Sequence, residues 1–388
     1  MNISQAAKYI KDNINIYEYI TRFYNIEFKK SGSSYKALCP LGNHDHNTPS
    51  FSIPEGENYF NCFGCNQGGS LIKFVELYEN VDNEDAIKLI CDNIGIDLNN
   101  KLPEAHKRKV DSNNSRMIKY VKNLVSENKE ALEYITNKRH LSLDIIKEFK
   151  LGATLENKDM PHLSNRIVFP LEHNGLKNTV LAFTYGYIND ASNYNAKYIN
   201  DKTNNVFTKS EMFYGYNQAF MHIKASKRVY IVEGYFDVLS MHQAGIKNTM
   251  GVMCASISDK HIEMLKKLNC EVVLFTDTDK AGDECKLNSI SKLIGESIKV
   301  KVIDTKDFKD PDELCNKYKF VTNDILKFIN RNTKDPILYY LKNDIDELQN
   351  TILDMKSKIL NKANSLLSSM DETERDLYKE YISRLLSI

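Results

Sequence analysis

Four short apolar runs alternate with amphipathic stretches between residues 229 and 304. The runs, each typical of a β-strand, are Val229–Glu233, Asn248–Met253, Glu271–Asp277 and Lys299–Asp304. The stretches between them repeat apolar residues at the helical period and predict helices over 237–244, 258–268 and 281–294. This alternation predicts a parallel sheet whose strands are joined by right-handed helical crossovers.

Carboxylates cluster at the ends of these predicted strands. They are Glu233 on the first strand, Asp277 and Asp279 on the third, Asp310 and Asp312 after the fourth, and Asp237 opening the first helix. Because the carboxyl ends of parallel strands share one edge, we expect these acids to line one crevice. Crowded carboxylates repel one another, and Mg²⁺ or Mn²⁺ would relieve that repulsion. The alternative is that each acid only caps a helix or lies in a solvated loop.

Cysteine and histidine are grouped in a second window, residues 39–65. Cys39, His44, Cys62 and Cys65 give a Cys-x4-His, x17, Cys-x2-Cys spacing, and His46 competes with His44 as the second ligand. Thiolate and imidazole in a closed tetrahedron are the ligands of structural Zn²⁺. Between the two ligand pairs, 51–53 and 58–60 are predicted to pair as strands. The alternative is three unrelated reduced cysteines.

Charge is balanced over the chain but uneven along it. The sequence holds 52 basic and 52 acidic residues, whereas residues 101–228 hold 21 basic and 13 acidic ones, a net charge of +8. A basic segment directly before an acidic crevice suits a nucleic-acid track leading to a metal site, although a solvated basic surface is the alternative. Without a signal-peptide-like start or a membrane-length apolar run, we expect a soluble cytoplasmic protein, in which eight cysteines fit a metal site better than disulfides.

The remaining patterns divide the chain. Residues 10–25, 70–79, 83–94 and 116–149 are predicted as helical, and 26–28 as a short strand. Residues 101–115 are charged, contain Pro103 and lack periodicity, which favours a linker. Residues 166–170 and 180–183 predict a hairpin, followed by a strand at 197–200. Residues 313–388 are helical in pattern, with an apolar stripe from Ile337 to Met355 that favours packing on the preceding domain.

Several motifs resemble one known family. Glu233-Gly-Tyr-Phe-Asp237, Asp277-Thr-Asp279-Lys-Ala-Gly282 and Asp310-Pro-Asp312 are similar to the Toprim signature of bacterial and phage DnaG-type primases. Cys39-Pro, Thr48-Pro-Ser-Phe51 and Cys62-Phe-Gly-Cys65 resemble the Cys-His-Cys-Cys (CHC2) zinc ribbon of the same family, a likeness that assigns His44 rather than His46 as ligand. The chain departs from the family pattern at Cys254-Ala255-Ser256, at Thr278 and at Ser210, where glycine is usual at the last two positions.

The resemblance implies an α+β multidomain protein. Its parts would be a zinc-ribbon DNA-binding domain (1–100), the linker (101–115), a mixed α/β basic subdomain (116–226), a Toprim α/β subdomain with a parallel sheet (227–312) and a C-terminal helical segment (313–388). Arg166, Lys197 and Lys209 fall on basic positions that contact nucleotide and template phosphates in the family. Phe51, Tyr59, Phe60 and Phe63 are candidates to stack on template bases, with core packing the equal alternative for at least two of them.

The implied activity is that of a DNA primase in DNA replication, a nucleotidyltransferase that makes short RNA primers on single-stranded DNA. Glu233, Asp277 and Asp279 would be catalytic, with one structural Zn²⁺ and catalytic Mg²⁺ or Mn²⁺. The partners would be single-stranded DNA and ribonucleoside triphosphates, on a monomer; a replicative helicase is a further candidate, left open because the family usually continues into a helicase-binding module. The rivals are a Toprim nuclease and a non-catalytic zinc-dependent adaptor that binds single-stranded DNA.

Overall fold

A computed structural model gives the structure of the chain. It describes residues 3–24, 26–41, 48–94, 96, 98, 104–175, 179–188, 196–204, 207–254, 256–347, 354–368, 370 and 372–386. The chain divides into two compact units, Met1–Ala105 and His106–Ile388. None of the described helices combines the length and apolar character that crossing a bilayer requires.

Among its described residues, the first unit has a five-stranded antiparallel sheet accompanied by four helices. Its elements are α1 (Ile3–Asn13), α2 (Ile16–Phe23), β1 (Lys29–Ser31), β2 (Ser34–Ala37), β3 (Phe51–Pro54), β4 (Phe60–Cys62), β5 (Gln67–Gly69), α3 (Leu71–Glu79) and α4 (Asn83–Ile94). The strands follow one another in chain order across the sheet. The strand predicted at 26–28 lies three residues later, as β1. Phe28 instead packs its ring against Tyr17, and pairing with β2 begins only at Lys29.

Side chains from distant parts of this unit lock the helices onto the sheet. Asn58, just before β4, accepts a hydrogen bond from the backbone of Ile16 (2.7 Å) and donates to the carbonyls of Lys11 and Ile14. It therefore satisfies backbone groups that the junction of α1 and α2 leaves unpaired. Phe51 and Phe60 are fully buried and stack with ring centroids 5.0 Å apart. These contacts form the centre of a small aromatic core.

The second unit begins with helices and an antiparallel sheet. Its first elements are α5 (Glu104–Ser126), α6 (Lys129–Glu133), a π-helical turn (Tyr134–Lys138), α7 (Leu143–Glu148), β6 (Gly152–Ala153), β7 (Ile167–Glu172), β8 (Val180–Gly186) and β9 (Tyr198–Asn200). The four strands pair in the order β6-β7-β8-β9. The hairpin predicted from the two apolar runs is present as β7 and β8, which pair antiparallel.

Most of the segment predicted as a linker is helical. From Glu104 onward it forms the first half of α5. The sequence pattern does not reveal this helix, because only Val110 and Asn113 are buried among residues 107–115 and they form no apolar stripe. Asn113 donates to the carbonyls of Val180 and Leu181, so this part of α5 is fixed against β8. The role of 101–115 as the connection between functional domains stays a prediction.

The third sheet is the predicted α/β arrangement. Its elements are α8 (Tyr216–Ser226), β10 (Arg228–Val232), α9 (Tyr235–Gln243), β11 (Thr249–Gly251), α10 (Asp259–Leu268), β12 (Glu271–Leu274), α11 (Lys280–Gly295) and β13 (Val300–Ile303). These four strands are parallel, and β14 (Thr333–Lys334) joins antiparallel at one edge to give the order β11-β10-β12-β13-β14. The strands and helices predicted between 229 and 304 are confirmed to within three residues at each end.

Helices complete the chain and cover this sheet. They are α12 (Pro311–Lys317), α13 (Thr322–Asn332), α14 (Pro336–Glu347), α15 (Asp354–Leu367) and α16 (Glu372–Leu386). Ile337 and Leu341 of α14 lie in the same hydrophobic core as Val300 and Val302 of β13. The predicted packing of the apolar stripe on the preceding domain is confirmed for these two residues, whereas the side chains of the stripe from Ile345 to Met355 lie outside the described residues.

Candidate active site and metal centre

Glu233 and Asp277 meet where two neighbouring parallel strands end. Glu233 follows β10 and Asp277 follows the adjacent β12, so strand pairing brings the two exits side by side. The Oε1 atom of Glu233 accepts a hydrogen bond from the backbone N–H of Asp277 at 3.1 Å. The structure thus brings together two acids that are separated by 44 residues in the sequence.

The turn after β12 places Asp279 at the start of α11. Its Oδ1 atom accepts from the backbone N–H of Gly282 at 2.9 Å, so the side chain caps the helix. A Cβ atom on residue 282 would lie 2.2 Å from the carbonyl oxygen of Asp277 and 3.0 Å from Oε1 of Glu233. Glycine is therefore required there for the helix to begin this close to both acids.

Asp310 caps another helix on the same side of the sheet. Its Oδ1 atom accepts from the backbone N–H of Glu313 at 2.8 Å, at the start of α12. Its charge raises the pKa of both Asp277 and Asp237, after the larger effect of their own burial. We call the cluster of Glu233, Asp277, Asp279 and Asp310 the carboxylate crevice.

Asp237 and Asp312 use their oxygens inside the protein. Asp237 accepts from the backbone N–H groups of Gly234 (2.9 Å) and Asp312 (3.2 Å). Asp312 accepts from Arg139 (2.8 Å), from the hydroxyl of Ser240 and from the amide of Asn316. By contrast, among the described residues neither carboxylate oxygen of Asp277 accepts a hydrogen bond. This geometry favours a framework role for Asp237 and Asp312 over the predicted magnesium contact.

The surroundings of the carboxylate crevice disfavour the ionised form of its acids. Burial, followed by the charges of Asp277 and Asp279, raises the pKa of Glu233 to about 7. Burial and then the charges of Asp310 and Asp279 raise the pKa of Asp277. Glu233, Asp277 and Asp310 are half-buried and Asp279 is exposed. When ionised, these neighbouring carboxylates destabilise one another, and a divalent cation with oxygen ligands would remove that penalty. The donor set of the carboxylate crevice therefore fits a hard divalent ion.

We expect Glu233→Gln to stabilise the protein at pH 8 in Mg²⁺-free buffer. Glu233 binds its proton more tightly in the folded than in the unfolded state, so ionising it costs stability as the pH rises from about 4.5 to about 7. Glutamine escapes that cost. Thermal unfolding should show a higher midpoint for the variant at pH 8, a difference that shrinks as the pH falls toward 4.5. Saturating Mg²⁺ should raise the wild-type midpoint more than that of the variant; a variant that is less stable at every pH would contradict this account.

Two predicted phosphate-binding lysines lie near the carboxylate crevice. Lys197, exposed before β9, lowers the pKa of Asp277 through its charge, although burial and acidic neighbours dominate that pKa. Lys209 is half-buried in a short helical turn whose Ser210 carbonyl accepts from the hydroxyl of Ser258. Burial lowers the pKa of Lys209, and the thiol of Cys254 beyond β11 acts in the opposite direction. Cys254 is influenced by the charges of both Lys209 and Glu233, so Lys209 lies on the same side of β11 as the crevice acid, and phosphate binding by the two lysines stays a prediction.

Arg166, the third predicted phosphate-binding residue, is buried among backbone carbonyl groups, and its phosphate contact stays a prediction. It is 1% exposed, and its guanidinium donates to the carbonyls of His162, Tyr185 and Ala196 at 2.6, 3.3 and 3.1 Å. Ala196 directly precedes Lys197. This geometry favours a supporting role, in which Arg166 holds the segment that carries Lys197, over a direct phosphate contact.

Arg139 is a site residue that the sequence patterns did not reveal. Its guanidinium lies 4.2 Å from the ring centroid of Phe236 and bonds Asp312, which is 173 residues away along the chain. It thereby ties the end of the π-helical turn to α12, which begins beside Asp310. No periodicity marks such a contact, because both residues lie at element ends.

We expect Arg139→Met to destabilise the second unit by about 2 kcal/mol, because the mostly buried Asp312 loses its charged partner. Urea unfolding would measure this change. Lys129→Met, which removes an exposed lysine ten residues earlier, should leave stability within about 0.5 kcal/mol of wild type. Equal stability of the two variants would show that the Arg139–Asp312 pair does not hold α12 in place.

Three cysteine thiols converge in the first unit. The sulfurs of Cys39, Cys62 and Cys65 all lie within 4.8 Å of one another, and those of Cys39 and Cys65 are 3.9 Å apart. A tetrahedral zinc site with bonds of about 2.3 Å requires sulfurs about 3.8 Å apart, a spacing that the Cys39–Cys65 pair meets. His44 and His46 lie outside the described residues, so the fourth ligand stays a prediction.

Hydrogen bonds prepare one of these thiols for metal binding. Burial raises the pKa of Cys62, but donors from the backbone of Cys65 and Gly64 and from the Ser50 hydroxyl outweigh it and lower the pKa to about 6. The thiolate is the form that binds zinc. All eight cysteines of the chain are described, and none of them forms a disulfide bond. The expectation of a metal site rather than a disulfide framework fits this arrangement.

The four aromatic candidates of the zinc-ribbon region divide into two pairs. Phe51 and Phe60 are buried in the core, whereas Tyr59 is 43% and Phe63 78% exposed. Phe63 lies between Cys62 and Cys65, next to the thiol cluster. Tyr59 and Phe63 are therefore available to stack on a base, and the alternative of core packing holds for the other two.

Comparisons with known protein families match three parts of the chain. Residues 3–106 match the CHC2 zinc finger, residues 153–220 the N-terminal domain of the DNA primase catalytic core, and residues 230–315 a Toprim-like domain. A DNA primase of Borreliella burgdorferi is 29% identical, and the alignment covers 100% of this chain and 80% of that protein. A DNA primase of Helicobacter pylori is 30% identical over 83% of this chain, which spans only 61% of that relative's length.

Solved structures share the fold. The zinc-binding and RNA polymerase domains of the Aquifex aeolicus primase match with a TM-score of 0.60 and 23% identity, over 99% of this chain and 97% of that one. A DnaG primase catalytic domain bound to single-stranded DNA matches with a TM-score of 0.61 and 19% identity, over 72% of this chain and 100% of that one. The predicted fold class, an α+β multidomain chain with a zinc ribbon and a Toprim domain, is confirmed.

Proposed function

The chain belongs to the DnaG-type DNA primases, and on that premise we propose that it synthesises short RNA primers on single-stranded DNA. The observation that carries the proposal is the presence, in one chain, of a thiol cluster fit for zinc and a carboxylate crevice fit for divalent cations. The alignment with the DNA primase of Borreliella burgdorferi covers the whole of this chain, including both regions. Single-stranded DNA would be the template and ribonucleoside triphosphates the substrates.

Four acids would hold the catalytic cations, for which we propose Mg²⁺ or Mn²⁺. Glu233, Asp277, Asp279 and Asp310 supply the carboxylate oxygens, with Asp237 and Asp312 fixing the geometry around them. Such cations, when bound, stabilise the attacking and leaving oxygens of a phosphoryl transfer. The hydrogen bond from the backbone of Asp277 already orients the Glu233 carboxylate, so this side chain needs little rearrangement to bind a cation.

Two lysines would bind the phosphates of the substrate or of the template. Lys197 and Lys209 carry positive charge beside the crevice, and they would bind the triphosphate or the template backbone and offset negative charge that builds during transfer. Arg166 would keep Lys197 in position through the carbonyl of Ala196. The basic segment that precedes the crevice would extend this contact along the template.

The zinc-bearing unit would engage the template. Tyr59 and Phe63 are exposed, the latter between two cysteines of the thiol cluster, and both would stack on unpaired bases. Zinc would fix the loop between Cys62 and Cys65 and so hold Phe63 outward.

A priming assay on random single-stranded templates tests the function. With labelled ribonucleotides and Mg²⁺, the full chain should make short oligoribonucleotides, and removal of Mg²⁺ should abolish them. Cleavage of the DNA without ribonucleotides would instead identify a nuclease. Template binding that is independent of divalent cations, without any product, would identify a non-catalytic adaptor.

A further inference from the structure

A buried lysine lies behind the carboxylate crevice. Lys286, in the second turn of α11, has a side chain that is only 2% exposed. Burying an ammonium ion without compensation costs several kcal/mol, so its surroundings must supply negative charge or hydrogen-bond acceptors. The zinc and primase motifs of the sequence do not include this residue.

The nearest groups compensate Lys286 only partly. Its Nζ atom lies 3.3 Å from the hydroxyl of Tyr339 and 4.9 Å from the centre of the same ring. The closest carboxylate oxygen, on Asp283, is 3.7 Å away and belongs to a side chain that is half exposed. That oxygen also accepts a hydrogen bond from the Tyr339 hydroxyl at 2.8 Å. Long contacts to one shared carboxylate are weak compensation for a buried charge.

The remaining compensation comes from acids at the strand ends. Burial lowers the pKa of Lys286, and the charges of Asp283, Asp304 and Glu233 raise it again. Reciprocally, Lys286 is the cation that lowers the pKa of Glu233, against the larger effects of burial and of Asp277. Asp304 directly follows β13, and Glu233 directly follows β10. A Cβ atom on Gly282, four residues before Lys286 on α11, would lie 3.0 Å from Oε1 of Glu233. Because residues four apart share one face of a helix, Lys286 lies on the face of α11 that borders the carboxylate crevice.

We infer that Lys286 is a built-in counter-charge of the carboxylate crevice, held by Tyr339 of α14, and that it weakens and so sets the affinity of the crevice for divalent cations. This inference rests on the proposed cation site. A bound cation neutralises the acids that compensate the ammonium of Lys286, and the ammonium repels the cation. The charged ammonium therefore weakens cation binding, and a bound cation weakens proton binding by Lys286 by the same factor. Through Tyr339, the C-terminal helices take part in setting the metal requirement.

Cation binding to the zinc-loaded full chain tests the inference without relying on catalysis. The Mn²⁺ that remains free is measured by electron paramagnetic resonance at pH 8 and 0.15 M salt. Lys286→Met, which keeps the length of the side chain and removes the charge, should bind Mn²⁺ about three- to tenfold more tightly, as expected for loss of one nearby positive charge. Lys286→Arg should restore the wild-type affinity to within about twofold.

Neighbouring tyrosines of α14 provide a matched pair of variants. Tyr339→Phe keeps the ring but frees the ammonium to move toward Asp283 and solvent, so Mn²⁺ affinity should rise about twofold. Tyr340→Phe removes a hydroxyl from the next residue, whose ring faces Lys362 instead, and should change nothing. If Lys286→Met does not fold, the Tyr339 and Tyr340 variants still decide between the outcomes.

A purely structural role predicts a different result. In that case Lys286→Met would lower the unfolding temperature equally with and without Mg²⁺. The inference requires that Mg²⁺ raise the unfolding temperature of this variant by more than it raises that of the wild type. Unchanged Mn²⁺ affinity in Lys286→Met overturns the inference alone, whereas absence of Mn²⁺ binding by the wild type overturns the proposed cation site and the inference with it.

Discussion

Primer synthesis should fall by on the order of a thousandfold when Asp277 is replaced by Asn. Both oxygens of Asp277 lie in the carboxylate crevice without a hydrogen-bond partner among the described residues, which makes this side chain the most available cation ligand. Loss of a metal ligand removes several kcal/mol of transition-state stabilisation, and each 1.4 kcal/mol changes a rate about tenfold. Glu233→Gln should have a similar effect. Labelled oligoribonucleotide formation at saturating ribonucleotides would measure both.

The control for this experiment is an acid of the same type close by in the chain. Asp307 lies exposed on the loop between β13 and α12, three residues before Asp310. Asp307→Asn changes the net charge as Asp277→Asn does and should leave primer synthesis within about twofold of wild type. Mn²⁺ binding should weaken in Asp277→Asn and not in Asp307→Asn. Full activity of both crevice variants would remove the assignment of these acids to catalysis.

The positions of the crevice acids could be predicted because they depend on local patterns. Short apolar runs and amphipathic stretches gave the strands and helices, and the topology of parallel sheets then required Glu233 and Asp277 to end at the same edge. The hydrogen bond between them is a consequence of that topology. Strand order did not need to be known, because every parallel strand presents its carboxyl end on the same side.

The division of labour among the acids could not be predicted. Asp237 and Asp312 look like the other acids in the sequence, but their oxygens are occupied by Gly234, Arg139 and other donors. Whether a carboxylate is available depends on partners brought in by tertiary packing. Lys286 illustrates the same limit. The pattern predicted a helix over 281–294, but polar residues occur on every face of this helix, so the sequence does not reveal that the Lys286 side chain is the buried one.

The basic and aromatic candidates show how burial changes an interpretation. Arg166 and Lys197 look equally suited to bind phosphate in the sequence, but the first is enclosed by carbonyl groups and the second is exposed. Phe60 and Phe63 are three residues apart, but one is in the core and the other at the surface. Alternation along β4 accounts for part of this difference, and the turn between Cys62 and Cys65 accounts for the rest.

The second large effect is expected from loss of zinc. Cys62→Ser should abolish stoichiometric zinc binding and unfold much of the first unit, because β4 and β5 pair around the thiol cluster. Structural zinc contributes on the order of 10 kcal/mol in small domains, comparable to the whole stability of a unit of this size. Elemental analysis would give zinc per chain, and limited proteolysis would report folding of residues 3–94 separately from the second unit.

Matched variants make this result specific. Cys91→Ser alters a fully buried thiol on α4 of the same unit, outside the cluster, and should retain one zinc per chain although it too costs some stability. Of the two histidines that follow Cys39 in the sequence, His44→Ala should lower zinc content and His46→Ala should not. Primer synthesis on long templates should fall at least about tenfold in Cys62→Ser, because the template then loses the stacking surface of Phe63. Retention of full zinc by Cys62→Ser would show that the three thiols do not form the metal centre.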